Sequence, residues 1–564
     1  MPTLEFKGKP FVYSHHLSVP FRQLVIDTDK SLPVDGVEPS LDDNLIIHGD
    51  NLEALKALLP RYAGKVDVIY IDPPYNTGNE GWAYNDKVNA PQLKAWLGKV
   101  VDTEDMERHD KWLSMMWPRL QLLKELLSER GLFWVNLDDN EVHNAAQILD
   151  EIFGSSNRLA SAVWEKADSP RMDAEFFSTR HDALLVYAKS IDEVKLHKLQ
   201  YEGDQIPKHY DRIDEDNRRY YLKPLRSMGG QGERREARPN LFYALKAPDG
   251  SAIYPKLQDG SDGTWRWSQK KIGANPKKIE WSGGAKKWTP YFRIYADENK
   301  GRPPETIFFH KDVGSSRTAK AQLKLIFDGA APFDTPKPVG LIQEIVRLST
   351  YADSLVLDSF AGSGTTAHAV LALNKADGGN RKFILVETED YADTLTAERV
   401  RRVIKGVPGA KDPALKEGLG GGFTYCDLGE PIDLERFFGG EGTPPSFEQV
   451  ADYVAYTATG KTLERSDGAD GFVGQAGGYR IHLIYRPDPA WMRGEDAKLD
   501  LTTVERVAAA AKTDGGKPVL VFAAQKTMGQ RWLTDLGVTF CQLPYSIHRI
   551  LGDGTEGVSG VDEA

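Results

Sequence analysis

Asp72-Pro73-Pro74-Tyr75 follows directly on the apolar run Val66-Asp67-Val68-Ile69-Tyr70-Ile71. A carboxylate, two prolines and an aromatic ring at a strand end suit one demanding reaction, alkylation of an amino group on a heteroaromatic ring. The lone pair of such a nitrogen is delocalised into the ring, so it is a poor nucleophile. A carboxylate that accepts a hydrogen bond from the amino group, with a nearby backbone carbonyl accepting the second, draws the nitrogen towards tetrahedral geometry. Asp72 and the Pro73 carbonyl suit those roles. Pro73 and Pro74 bring no competing N–H and stiffen the turn. Tyr75 offers a ring face on which an extruded base can stack, because chemistry on a base in a duplex requires taking it out of the stack. A Pro-rich turn with an Asp cap is the plain alternative for four residues taken alone. The longer string from Tyr70 to Gly78, YIDPPYNTG, weighs against it.

A second string, Leu355-Val356-Leu357-Asp358-Ser359-Phe360-Ala361-Gly362-Ser363-Gly364-Thr365-Thr366, reads as a strand, a glycine turn and the start of a helix that continues from Ala367 to Leu373. Glycines let the backbone approach a ligand, and Phe360 can pack on it. The next strand, Phe383-Ile384-Leu385-Val386, ends in Glu387. It lies roughly 20 residues past the turn, where an acidic side chain usually holds ribose hydroxyls. The site therefore suits a nucleoside. No lysine precedes Thr365, so a phosphate loop is excluded. Ala367 in the third glycine position keeps a dinucleotide fingerprint, and with it a dehydrogenase, as the rival. The pairing separates them: a dehydrogenase has no use for Asp-Pro-Pro-Tyr, whereas amine methylation needs a nucleoside-sulfonium pocket and an amine-polarising carboxylate together.

Both strings need strands that end at one edge of a sheet. Up to about Lys189, apolar runs alternate with helical patterns, as in an α/β domain. Asn44 to His48, Val66 to Ile71, Leu132 to Asn136 and Asp182 to Tyr187 read as strands. Leu113, Met116, Leu120, Leu123 and Leu127 recur at helical spacing and are expected to stop at Gly131. From Ile191 to Pro332 the texture changes. Arg218, Arg219, Lys223, Arg226, Arg234, Arg235 and Arg238 cluster, and Trp265, Trp267, Trp281 and Trp288 interleave with Arg266, Lys270, Lys271, Lys277, Lys278, Lys286 and Lys287. The tryptophans fit either a small β-rich core or contact with nucleic acid. Alternation resumes from Pro338 to Lys405, followed by Gly-rich links and a more acidic C-terminal region. The fold expected is α/β: a Rossmann-like sheet with helices on both faces, an inserted DNA-binding domain and a C-terminal α/β appendage. The divisions expected are a 1–40 arm, 41–190 catalytic half, 191–332 insert (target-recognition by the resemblance given below), 333–405 cofactor half and 406–564 C-terminal domain.

The bulk properties set limits. The chain has 564 residues, 40% hydrophobic and 27% charged, with a formal net charge of -11. A phosphate backbone feels the local field within about 8–10 Å, so the basic clusters matter more than the total. Cys426 and Cys541 cannot build a disulfide framework or a four-ligand zinc site. With no apolar leader or membrane-length run, a reducing cytoplasm is expected. The histidines show no metal-ligand spacing, so no metal site is expected. The phosphate-loop-like string Ala455 to Thr462 follows a helical pattern rather than a strand, and reads as a helix ending at Gly460. Neither cysteine follows a proline, so cytosine C5 methylation through a thiolate lacks its usual motif.

In their order and detail these strings resemble the β class of DNA amino-methyltransferases, and within it the modification (Mod) subunit of type III restriction-modification systems. Leu45 to Leu55 around His48-Gly49-Asp50-Asn51, Tyr70 to Gly78, Trp112 to Leu127, Gly131 to Glu141, Arg180 to Lys189 and Phe333 to Pro338 carry the likeness in blocks over roughly residues 40–405. Ser359 departs from it, where a second Phe is common. The resemblance implies direct methyl transfer from S-adenosylmethionine to adenine N6 in double-stranded DNA, with no metal required and cytosine N4 as the alternative. Asp72, Pro73, Pro74 and Tyr75 would form the catalytic motif. Asp358, Phe360, Gly362, Gly364 and Thr365 would line the cofactor site, Glu387 would hold the ribose, and Asp50 and Lys337 would lie near it. A homodimer and a helicase-nuclease (Res) partner are implied too. A catalytically idle DNA-binding subunit is the rival from another class.

Overall fold

The strands that carry the two strings are apolar along nearly their whole length, as parallel strands covered on both faces must be. Val66–Ile71 is buried at every position, and Lys382–Glu387 at all but its first. Within Val66–Ile71 the polar exception is Asp67, and Arg130 and Ser128 take up its carboxylate at 2.9 and 3.1 Å. The structure is a computed structural model that describes residues 3–76, 106–170, 172–198, 207–230, 232–284, 287–298 and 303–543. Thr77, Gly78, Lys286 and His548 lie outside the described residues.

Two compact units result, Met1–Leu196 with Glu305–Ala564, and His197–Pro304. The larger holds a 10-stranded sheet. Its order is Arg22–Leu32, Phe423–Pro431, Leu45–His48, Lys382–Glu387, Leu355–Asp358, Val66–Ile71, Leu127–Leu137, His181–Ala188, Arg158–Glu165 and Ile307–Phe308. The six strands from Phe423–Pro431 to Leu127–Leu137 run parallel. The chain leaves Leu355–Asp358 towards one side of the sheet and Val66–Ile71 towards the other. Such a switch point opens a crevice at the carboxyl ends of its two strands, where open α/β sheets bind ligands. Asp72 and Ser359 are the first residues past those ends.

Several expected boundaries shift. Arg22–Leu32 is not a free arm but an antiparallel edge strand on Phe423–Pro431, so both terminal regions complete the main sheet. The smaller unit is shorter than 191–332. Ile307–Phe308 pairs with Arg158–Glu165 in the main sheet, and Ser316–Ile326 folds as a helix behind a Ser315 capping box. The helix Met106–Leu126 stops short of Gly131. Gly131 instead lies inside the strand Leu127–Leu137, where a Cβ would meet Leu127 Cγ at 2.6 Å. Its role is close approach at an irregular register, not a helix cap.

The smaller unit is built on a four-stranded sheet, Ile279–Ser282, Thr289–Tyr295, Arg219–Pro224 and Arg212–Ile213. Trp265 is buried with Leu225, Leu245 and Phe292, so it belongs to a core. Many of the basic residues there are ion-paired, Arg218 with Asp297, Arg235 with Asp262 and Arg293 with Glu280. Beyond residue 434, a five-stranded sheet and its helices form their own core. The helix Phe447–Thr459 ends at left-handed Gly460, as its sequence implies. It docks on two helices that flank the main sheet, Asn51–Tyr62 through Asp452, 3.1 Å from Arg61, and Met106–Leu126 through Tyr456, 3.0 Å from Glu125. Among the described residues, no helix is long and apolar enough to cross a membrane.

Candidate active site

Residues 72–76 leave the sheet as a turn fixed at both ends. Trp112 Nε1 donates to the Pro74 carbonyl at 2.8 Å. Asn76 adopts left-handed backbone, φ 56°, a region that Asn tolerates better than most residues. Its buried amide donates to the Arg108 carbonyl at 3.2 Å and to Glu141. Glu141 is itself fully buried and also meets His109 and Asn144, each at 2.8 Å. The block that ends at Glu141 is therefore the anchor of the turn.

Two carboxylates flank the Tyr75 hydroxyl. Asp72 accepts the phenol proton at 2.9 Å with one oxygen and pairs with Lys337 through the other. Asp182 stands 3.3 Å from the same hydroxyl and is paired with Lys166 at 2.7 Å. The Asn136 amide donates to the Tyr75 oxygen and, at 3.4 Å, to Asp182. A phenol has one proton, so Tyr75 donates to one carboxylate at a time, and the distances favour Asp72. Burial, reinforced by Asp72 and Asp182, pushes the Tyr75 hydroxyl well above the ordinary phenol range, so it remains a neutral donor. Two anions and two cations balance, which is what lets the cluster persist where lone charges would be strongly destabilising.

The glycine turn is shaped as tightly. Gly362 and Gly364 have φ of 50° and 75°. A Cβ on Gly364 would sit 3.0 Å from the Thr396 carbonyl oxygen, and one on Gly362 3.2 Å from the Phe333 ring. Glu387 accepts the N–H of Gly362 at 2.7 Å and of Glu389 at 3.0 Å. Thr396 donates to the Gly362 carbonyl at 2.6 Å. Buried Arg399 donates to the Ser363 carbonyl at 3.2 Å and to the Ser363 and Thr365 hydroxyls at 2.9 and 2.7 Å. Burial lowers that guanidinium to about 9. Asp358 accepts from the Phe360 N–H at 3.0 Å and the Thr366 hydroxyl at 2.6 Å.

Both motifs face one cavity of about 510 Å³. Asp72, Pro73, Pro74, Tyr75, Lys337, Asp358, Phe360, Gly362 and Thr365 line it, as do Lys166, Asp182, Phe333 and Tyr391. Three expected cofactor residues do not. Gly364 lies behind the wall and supplies the bend. Glu387 is fully buried beneath the turn, its oxygens on backbone N–H groups rather than facing the cavity. Asp50 caps the helix Asn51–Tyr62 and pairs with Arg119 at 3.4 Å; its neighbour Asn51 reaches the Ser359 carbonyl at 3.1 Å. Lys337 does line the cavity, but its partner is the Asp72 carboxylate. Asp182, Lys166 and Arg399 are site residues that the sequence patterns do not single out. The one available signal is an aspartate at the head of an otherwise apolar strand, His181–Ala188. Among the described residues no cluster of metal-ligating side chains is present.

Burial pushes Asp358 and Glu387 each up to about 7. A carboxyl raised in the fold favours its protonated form. Its contribution to stability is complete below the ordinary carboxylate range and is lost as pH rises through about 7. Asp358→Asn removes this contribution, so the variant's Tm at pH 8 relative to its Tm at pH 5 is expected to be higher than the wild type's. Thermal unfolding of both proteins at the two pH values checks this, and an unaltered slope contradicts it.

The family model described as DNA methylase matches residues 66–398. The EcoPI Mod subunit of the type III restriction-modification enzyme of Escherichia phage P1 is 32% identical over 436 residues, 70% of this chain and 67% of that one. The StyLTI Mod subunit of Salmonella typhimurium is 33% identical over 429 residues, covering 70% and 62%. The type II methyltransferase M.KpnI of Klebsiella pneumoniae is 29% identical over 353 residues, covering 60% and 79%. The chain thus spans about two thirds of the length of these Mod relatives, 67% and 62%.

Proposed function

Since the chain belongs to the DNA methylase family, we propose that it transfers the methyl group of S-adenosylmethionine to adenine N6 at specific sites in duplex DNA. The observation that carries this reading is the shared cavity, lined by both the Asp72 carboxylate and the glycine turn. The turn fits the cofactor: a Cβ at Gly362 would fill the cradle, and Phe333 and Tyr391, rings 6.0 Å apart edge to face, close its rim. Phe360, Gly362, Ser363 and Thr365 would hold the nucleoside, with Glu387 fixing the backbone that meets it. When bound, the cofactor supplies an electrophilic methyl carbon on a sulfonium.

Tyr75 stacks the extruded adenine and Asp72 accepts a hydrogen bond from its amino group. Each Asp72 oxygen has one donor in place, Tyr75 on one and Lys337 on the other, and each keeps a second lone pair that can accept the amino group. As the nitrogen gains its methyl group, the proton it loses passes to Asp72 or to water. An Asp rather than a Ser before Pro-Pro-Tyr favours adenine N6 over cytosine N4.

The 32% identity to a Mod subunit supports a place in a restriction-modification system, with a Res-type helicase-nuclease as partner, a second copy of the chain, and the cytoplasm as location. Incubation with methyl-labelled S-adenosylmethionine and mixed-sequence duplex, followed by digestion to nucleosides, is expected to place the label in N6-methyladenine. Label in N4-methylcytosine would replace the adenine assignment, and DNA binding without transfer would make the chain an idle recognition subunit.

A further inference from the structure

The strands Arg158–Glu165 and His181–Ala188 are joined by a loop whose feet are tied and whose tip is apolar and exposed. At the feet, the Ala167 N–H meets the Arg180 carbonyl at 3.3 Å, and Arg180 donates to the Ala167 carbonyl at 3.1 Å and to Glu165 at 2.8 Å. Arg317 pairs with Asp168. The tip carries Met172, Phe176 and Phe177, exposed by 94%, 85% and 94%, the highest values of any large hydrophobic among the described residues. Large apolar side chains held in water forfeit the burial that usually stabilises them, and clustered ones mark a surface that meets a partner.

Position says which partner. The residues flanking this loop at its two ends, Lys166 and Asp182, are on the wall of the catalytic cavity. The cations about the loop's feet are each paired with a carboxylate, Lys166 with Asp182, Arg180 with Glu165 and Arg317 with Asp168, and these pairs hold the feet beside the cavity. A base that enters the cavity leaves a gap in the stack directly outside it, and apolar side chains inserted between base steps are a known way to hold such a distortion.

We propose that Phe176 and Phe177 form a wedge that enters the duplex and fills the position vacated by the target base. This rests on the methyltransferase reading. The loop has the wedge's physical requirements: flat apolar groups at the tip, and feet fixed beside the cavity that takes the base. The wedge acts on base extrusion, upstream of chemistry, so its loss should matter only when there is a base pair to open.

The test uses the full chain, duplex containing its mapped target, and the double substitution Phe176→Ala/Phe177→Ala. One substrate is fully paired; in the other the target adenine faces an abasic site. The double variant is expected to lose on the order of 100-fold in kcat/KM on paired DNA, the scale of an unassisted base-opening cost. On the unpaired target it should lose less than about threefold, and S-adenosylmethionine affinity should hold. With 2-aminopurine at the target position, the fluorescence rise on binding should largely vanish for the Ala variant and return for Phe176→Leu/Phe177→Leu. Normal flipping and transfer by the Ala variant would overturn the wedge, as would an equal defect on both substrates. Normal flipping with loss of self-association would assign the patch to a second copy of the chain instead. Absence of wild-type transfer on both substrates would bring down the methyltransferase reading itself.

Discussion

Asp72→Ala is expected to lower kcat for methyl transfer by on the order of a thousandfold, the usual scale for removing a group that acts on the reacting proton or its charge. Affinity for S-adenosylmethionine should stay within about threefold, because the substituted side chain faces the amine and not the glycine turn. The substitution also leaves Lys337 without its carboxylate and Tyr75 without its nearer acceptor. Asp182 is available to the hydroxyl at 3.3 Å, which limits structural damage. Asp72→Asn is the companion variant: it keeps the shape and an acceptor oxygen, so part of the rate should return. Steady-state transfer rates and calorimetric cofactor titration separate the two effects. Wild-type turnover by Asp72→Ala would remove this residue from the chemistry.

Gly364→Ala is expected to weaken cofactor binding by on the order of a hundredfold. A Cβ there combines two costs. The backbone sits at φ 75°, where an L-residue loses roughly 1–2 kcal/mol. The added carbon would also press to 3.0 Å from the Thr396 carbonyl oxygen, with Thr396 Cγ2 at 3.4 Å. Relief requires Thr396 to move, and Thr396 holds the Gly362 carbonyl at 2.6 Å. The strain is thus transmitted to the part of the turn that lines the cavity. Gly378, at the other end of the same helix, is the control: its φ is 72°, but an added Cβ would have no neighbour within 4 Å. Gly378→Ala should cost some stability and leave cofactor affinity unchanged. Equal affinity for both variants, measured by calorimetry, would show that the turn does not form the cofactor site.

Local pattern makes much of this site legible. The strands Val66–Ile71 and Leu355–Asp358 are largely apolar runs closed by unusual residues, so their type, and the importance of the turns beyond them, can be read directly. The features that escape depend on pairing between distant segments. Asp182 reaches Tyr75 because His181–Ala188 pairs antiparallel with Leu127–Leu137, which brings Asn136 opposite Leu184. No spacing within either strand reports that register. Arg22–Leu32 mixes charged and apolar residues and its partner strand, Phe423–Pro431, lies some four hundred residues further along the chain, as the pairing of Arg22 with Pro431 shows, so it reads as an arm. Glu387 and Asp50 stand out in the sequence as special positions, but carboxylates can serve a site from behind as well as from within it. Here one holds the turn and the other caps a helix. Only the folded backbone distinguishes those uses.

The most direct measurement is the structure of the chain with sinefungin, whose amino group stands where the transferable methyl would be, and a duplex carrying its target adenine. The expected result is the extruded adenine on Tyr75, its N6 within hydrogen-bond reach of Asp72 and about 3–3.5 Å from the sinefungin amine, the near-attack separation. Sinefungin bound away from Gly362, or an adenine N6 held by groups other than Asp72, would contradict the account.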